Sequence, residues 1–380
     1  MALVTLLLAA LMTGPAACQP NTTAPSDRTR DATAPLEPIG DVGKLRSDVQ
    51  QGVCLAHNWQ HGGERGYGTE ASRQSKLELR DLGVEWVSLT PFGFQRSITA
   101  TEIEMGRYAA GESDDRLRRE TAQAHEFGMK VMLKPHLWLG ENQWRGHIQP
   151  EGGEAGWDTW FASYTRFIVR YAVLAEELHA DAFVIGVELA SSSMKYRDRW
   201  IKVIDAIRAV YKGPLTYAAN WNEAEGTLFW DKLDWIGIQF FAPIADTVHP
   251  TPEQLAEGVK RHLDAYEALS RKVNKKVIFT EVGYKSIAPT AISPGTWPEH
   301  LPDDARRYDE RAQAEAFRAV FNDLAHRDFI AGAYIWKWFT DVDTDEEDQL
   351  GFSPRHKSAA RVIGAAFGGE PQSPPINVAP

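Results

Sequence analysis

From about residue 50 onward, short apolar runs alternate with longer amphipathic stretches. The runs read as strands at 52–56, 86–90, 130–134, 182–189, 215–220, 235–241, 276–280 and 330–337. Most are apolar at successive positions, which is the pattern of parallel strands buried on both faces. The intervening stretches carry apolar residues at helical spacing. They predict helices over 71–82, 114–127, 157–178, 194–211, 252–272, 309–326 and 356–367, with a short one at 223–230. Gly128 stands where a left-handed residue closes a helix. Thr251 supplies an N-cap, with Pro252 at the first helical position. Eight strand–helix units and no second cluster of strands predict an α/β fold, a single (β/α)8 TIM barrel. An open doubly wound sheet is the alternative. Against it, no glycine-rich phosphate loop follows the first strand.

The ends of the chain have a different character. Residues 1–18 read as an export signal, with an apolar stretch over 2–12 broken only by Thr5. That stretch is too short to span a bilayer. Gly14, Ala16 and Ala17 lead to Cys18, which resembles a bacterial lipoprotein signal with Cys18 as the lipidated residue. The segment lacks a basic start, and Pro15 replaces the aliphatic residue that such signals prefer. Residues 19–45, rich in Pro, Thr, Ala and Asp, read as a flexible tether. The folded domain is expected over 46–368, followed by a disordered tail at 369–380. The expected location is the cell envelope, as a lipoprotein, or otherwise the periplasm or outside. Contact with membrane is expected only through the anchor.

Composition narrows the function. The chain has 380 residues, 43% hydrophobic and 24% charged, enough for a large core. A net charge of -11 argues against a nucleic-acid partner. The 13 tryptophans exceed the needs of a core this size and suit stacking surfaces for flat, weakly polar ligands such as sugar rings. Cys54, in the first strand, reads as a small buried hydrophobe. His57 and His61 lack the glutamate of a zincin motif. Asp341, Asp343 and Asp345 have calcium-loop spacing, but Glu346 replaces the required glycine, so a solvated acidic loop is expected. No metal or cofactor is called for.

Two glutamates carry the candidate chemistry. Glu188 ends the fourth apolar run and Glu281 the seventh. A carboxylate there is costly unless it is hydrogen-bonded or has work to do. Active sites of this barrel lie at the C-terminal ends of the strands, so the two would face each other across its mouth. A facing pair is the minimum equipment for hydrolysing a glycosidic bond.

The words around these residues resemble glycoside hydrolase family 113, whose characterised members are β-mannanases, within the clan of retaining (β/α)8 glycosidases. They are Ile185-Gly186-Val187-Glu188-Leu189, Phe279-Thr280-Glu281-Val282-Gly283-Tyr284-Lys285-Ser286, Trp336-Lys337-Trp338 and Gly351-Phe352-Ser353-Pro354-Arg355. The resemblance covers roughly residues 50–366. It implies a polysaccharide or oligosaccharide substrate, β-1,4-mannan first, with another β-glycan (glucan, xylan or galactan) left open. It also implies Glu281 as nucleophile and Glu188 as acid/base. The carboxyls would then lie about 5–5.5 Å apart, Glu281 would be ionised, and the pKa of Glu188 would be raised.

Other expected contacts follow from the strand ends. Trp336 is expected under the sugar, and Tyr284 hydrogen-bonded to the nucleophile. His136, Trp138, Asn220, Trp221, Gln239 and Phe241 are expected around the mouth, with Trp59 at an outer subsite. Lys337 is expected to point outward, as the strand neighbour of Trp336. Many clan members carry Asn before the acid/base, where it binds the sugar 2-hydroxyl; here that residue is Val187. Either Asn220 or His136 makes that contact, or the sugar preference differs. The competing readings are a carbohydrate-binding barrel without catalysis, which would need neither glutamate, and a metal-dependent deacetylase, for which no ligand set at strand ends is visible.

Overall fold

The computed structural model describes residues 39–57, 64–105, 112–140, 143–296, 300–341 and 347–369. The signal segment with Cys18, most of the tether, Trp59, His61, Asp343, Asp345 and all but the first residue of the tail lie outside the described residues.

Eight parallel strands close a barrel in chain order. They are β1 (Gln50–Ala56), β2 (Trp86–Leu89), β3 (Lys130–Leu133), β4 (Ala182–Val187), β5 (Leu215–Asn220), β6 (Ile236–Phe240), β7 (Val277–Val282) and β8 (Ile330–Phe339). β1 closes the ring by pairing with both β2 and β8. Side chains of opposite parity enter different cores. Cys54, Met132, Val184, Ala218 and Ile278 fill the inside of the ring. Val53, Val131, Ile185, Ala219 and Phe279 pack outward against the helices. This alternation is the basic geometry of a strand.

The helices sit close to their expected positions, at Glu70–Asp81, Asp114–Glu126, Gly153–Glu177, Arg197–Val210, Pro252–Val273, Glu310–Leu324 and Ser358–Phe367. Thr251 and Gln254 form a reciprocal capping box ahead of Pro252. Gly128 has φ +75 and follows the C-cap of Asp114–Glu126. The expected short helix at 223–230 is instead two 3-10 turns, Ala224–Gly226 and Trp230–Lys232.

Two expectations about domain layout are corrected. A small second sheet does exist, with Phe92–Gln95 between Ile103–Glu104 and His136–Leu139. Its strands are two to four residues long, and Gly93, Gln95, Glu104 and His136 interrupt their apolar character. It stands on the loops after β2 and β3 and walls the barrel mouth. The described end of the tether, 39–45, is also attached. Leu45 is buried, its N–H donates to Ala366 O at 2.9 Å, and Gly43 N donates to Asn322 Oδ1 at 2.6 Å.

Below the mouth, the first two helices are joined by a buried ion pair between Lys76 and Glu120, both fully enclosed. Glu120 also accepts from Ser72 Oγ at 2.8 Å and Gly68 N at 2.6 Å. Lys76→Ala strands that carboxylate and is expected to cost about 3–5 kcal/mol. Equilibrium unfolding in urea measures it, and a loss within error of zero would contradict this account of the pair.

Candidate active site

Three irregularities at the C-terminal end of the barrel build the site. In β7, Phe279 pairs with Ile238 of β6, but the next pair is Glu281 with Gln239. One extra residue on β7 is accommodated there. Counting by twos from the inward Ile278 would turn Glu281 out toward the helices; the bulge turns it into the mouth. In β4, Val184 pairs with Thr216 and Val187 with Ala218, again one residue in excess. Glu188 then adopts φ +51, a left-handed conformation uncommon for a side chain of this size. In β8, Ile335 and Trp338 pair with Val53 and Leu55, so Trp336 and Lys337 share a bulge across a cis peptide bond.

The resulting cleft has a volume of about 860 Å³. It is lined by both glutamates, by Trp336, His136, Trp138, Asn220, Trp221, Gln239 and Phe241 as expected, and by residues not anticipated.

Glu281 lies at the bottom, 3% exposed. Its Oε1 accepts a hydrogen bond from Lys134 Nζ at 2.6 Å. Lys134 is itself fully buried and also donates to Thr280 O at 3.0 Å and Cys54 Sγ at 3.2 Å. Burial works against the ammonium, but Cys54 and Glu281 outweigh it and hold its pKa above the ordinary lysine value. Burial pushes the Glu281 carboxyl up to about 6, against the pull of Lys134 and with a further push from the charge of Glu188. Glu281 is the more deeply enclosed of the two carboxylates.

Glu188 is held by neutral donors. Trp144 Nε1 donates to Oε2 at 3.1 Å and Asn220 Nδ2 to Oε1 at 3.0 Å, while the Arg145 guanidinium stands 4.0 Å away. Asn220 therefore braces Glu188. The indole of Trp144 lies directly over Gly146, where a Cβ would come within 2.4 Å of the ring.

His136 joins the two halves. Its Nδ1 faces Arg145 Nη1 at 3.0 Å, which leaves the proton on Nε2, 3.7 Å from Glu281 Oε1. Burial, with Arg145 and Lys134 nearby, keeps the ring neutral. It stacks on Trp336 with centroids 6.1 Å apart and planes 12° from parallel. Trp138 is half exposed at the rim and meets Phe92 edge-on. Gln239 is buried and its Nε2 has no partner among the described residues, so it is free to donate to a ligand hydroxyl. Phe241 packs edge-on against Phe352.

Several expectations are corrected. Tyr284 does not bond the nucleophile candidate. It is an odd number of residues beyond Glu281, so it faces out of the barrel, against Phe317 of the helix Glu310–Leu324. Lys134 occupies the role expected of it. Lys337 lines the cleft rather than pointing outward, because the β8 bulge breaks the alternation. Asp341 is not solvated; it is fully buried and paired with Arg65 at 3.2 Å. His57, for which no role was expected, is also part of the site. It enters the cleft wall with Nδ1 3.1 Å from Glu112 Oε1. Lys134 had a usable signal, a charge closing an apolar run. Trp144 and Arg145 had none beyond their place after the third strand.

A family model of Glycoside Hydrolase Family 113 matches residues 57–352. The chain belongs to that family. A solved GH113 β-1,4-mannanase, determined as a complex, is 26% identical with a TM-score of 0.74, covering 85% of this chain and 99% of that one. A second GH113 β-1,4-mannanase structure is 27% identical with a TM-score of 0.73, covering 84% and 99%. The barrel alone extends to a β-glucuronidase of Ruminococcus gnavus, 13% identical with a TM-score of 0.55, covering 84% of this chain and 49% of that one. A comparison with curated protein sequences finds no match. The family 113 chain is a glycoside hydrolase, which removes the binding-only and deacetylase readings.

Among the described residues, Lys134 alone opposes the burial of Glu281 at hydrogen-bond distance. Lys134→Met should therefore raise the Glu281 pKa above 6. Carbon-13 NMR of labelled glutamate in wild type and variant reads this directly. A downward or absent shift would mean that Lys134 is not the dominant counter-charge.

Proposed function

We propose that this family 113 hydrolase cleaves β-1,4-mannan with retention, through a glycosyl-enzyme on Glu281. The observation that carries the reading is the contrast between the two carboxylates. Glu281 is anchored to a buried cation, while Glu188 is held by neutral N–H groups nearer the opening. The first suits a nucleophile fixed in place, and the second a group that must exchange protons with leaving alcohol and water.

In the first step Glu281 attacks the anomeric carbon while Glu188 protonates the departing oxygen. The bond to Glu281 forms as the bond to the leaving sugar breaks. The Glu281 charge is consumed, and the Lys134 ammonium remains beneath it. In the second step Glu188 takes a proton from water, which attacks the same carbon and releases Glu281 as carboxylate. Trp336, stacked on His136, offers a flat surface beside the reacting ring, and the neutral His136 Nε2–H offers a donor beside Glu281. Mannan is favoured by the solved relatives described as β-1,4-mannanases.

Reducing-sugar release from mannan, glucomannan, galactomannan, xylan, β-glucan and galactan tests the reading. Wild type is expected to act on the mannans, with Glu281→Ala and Glu188→Ala losing at least about a thousandfold. Activity on another glycan alone would move the substrate and leave the mechanism standing. Full activity in Glu281→Ala would remove the nucleophile. Because only ionised Glu281 attacks, kcat/KM should fall on the acid side of about pH 6, near tenfold per pH unit.

The N-terminal pattern supports export and a lipid anchor on Cys18. Cys18→Ser is expected to move the enzyme from the membrane fraction to the soluble one. An unchanged distribution would argue against the anchor.

A further inference from the structure

A third glutamate lies behind Glu188 and does not reach the cleft. Glu223 is 1% exposed, in the turn after β5. Its carboxylate gathers three donors. Ser193 Oγ and Tyr217 OH, the latter at 2.6 Å, donate to Oε1, and the N–H of Asn220 donates to Oε2 at 2.9 Å. Among the described residues no cation forms a salt bridge with it. A buried carboxylate without a counter-ion is costly, and hydrogen bonds must compensate. Burial pushes this carboxyl up to about 7, with the Ser193, Tyr217 and Asn220 donors opposing.

Each donor leads back to Glu188. The Tyr217 hydroxyl accepts the N–H of Leu189 at 2.6 Å, directly after Glu188 in the chain. Asn220, whose backbone Glu223 holds, donates its side-chain amide to Glu188 Oε1 at 3.0 Å. Ser193 ends the short helix Ala190–Ser193 that follows Glu188. One arm therefore fixes the backbone that keeps Glu188 at φ +51, and the other fixes the group that holds its carboxylate.

We propose that Glu223 is a positioning residue for Glu188, a buried acceptor that sets where the acid/base presents its proton. The proposal rests on the acid/base reading of Glu188. Glu223 needs two acceptor oxygens to hold both arms. A glutamine has one. With its oxygen toward the Asn220 N–H, its amide must donate to the Ser193 and Tyr217 hydroxyls, which can accept but then lose the acceptor for their own protons, so that arm is weakened. Turned the other way, its amide sets a donor against the Asn220 N–H and releases the other arm.

General acid help matters in proportion to the basicity of the leaving oxygen. Two substrates separate positioning from simple loss of structure. One is an oligosaccharide of the sugar that wild type accepts, with an alcohol leaving group. The other is the 2,4-dinitrophenyl β-glycoside of the same sugar, whose leaving group needs little protonation. The readout is kcat/KM, which reports the glycosylation step. For Glu223→Gln, kcat/KM on the oligosaccharide is expected to fall about 10- to 100-fold, within the range that general acid catalysis supplies. On the aryl glycoside it should stay within about threefold. Tyr217→Phe and Ser193→Ala, each cutting one donor, should show the same imbalance at smaller size, and they carry the test if Glu223→Gln does not fold.

Equal losses on both substrates would overturn the proposal and reduce Glu223 to a structural group. No loss on either would also overturn it. Glu188→Ala is the control. If it shows the leaving-group imbalance and the three variants do not, the positioning role alone fails. If Glu188→Ala lowers both substrates equally, the acid/base reading fails, and the positioning role with it.

Discussion

A charge placed inside a closed ring of strands has no route to water except the mouth, so it must find its partner within the ring. Lys134 and Glu281 satisfy each other in this way, at 2.6 Å, with Cys54 and the Thr280 carbonyl completing the ammonium's contacts. Much of the cleft depends on that pair. It keeps a carboxylate in a place where burial would otherwise neutralise it. It puts a positive charge under His136, which together with Arg145 and burial keeps the imidazole uncharged. A neutral His136 can then stack against Trp336 and offer Nε2–H toward Glu281 without adding a second cation.

Strand alternation alone would not assemble this arrangement. The ring interior is reached by every second side chain, and by that count Glu281 faces outward. The extra residues in β4, β7 and β8 change the parity where each strand meets the mouth. Bulges interrupt the ladder locally, and here they occur at the open end, where fewer neighbouring strands depend on continuous pairing. Lower in the barrel one further shift lies between β7 and β8, where Val277 pairs with Ile330 and Ile278 with Gly332, and the interior is filled by Trp86 and Tyr334 together with smaller side chains such as Ala182, Val184 and Ile278.

This explains which parts were legible in the sequence. The eight apolar runs and the helices between them are long enough for periodicity to register, so the barrel was readable. Glu188 and Glu281 were readable as charges ending buried runs, and the same rule applied to Lys134 would have found it. The directions of Tyr284 and Lys337 were not readable. A bulge leaves no mark in composition, and one inserted residue reverses every parity argument beyond it. The outer sheet was missed because a two-residue strand such as Ile103–Glu104 carries no period. Asn220 was found as a cleft residue, but its hydrogen bond to Glu188 was not anticipated, because nothing in the sequence shows that the two side chains meet.

The two carboxylates also differ in what supports them from behind. Among the described residues Glu281 rests on one strong contact, to a buried cation, so its orientation is a property of the barrel interior. Glu188 rests on the turn that carries Trp144 and on Asn220, the last residue of β5, where the strand runs into a turn. Loop-borne contacts are easily lost to fluctuation unless their backbones are tied down. The turn after β5 is tied by Glu223, whose three donors come from the end of β5, from Tyr217 within it, and from the helix following Glu188. On the proposed mechanism, the group that must hand over and recover a proton is thus supported by neutral hydrogen bonds rather than by a fixed charge. A cation at hydrogen-bond distance would favour its ionised form and oppose the donor role. Arg145, the cation closest to Glu188 among the described residues, stands at 4.0 Å and is engaged with His136.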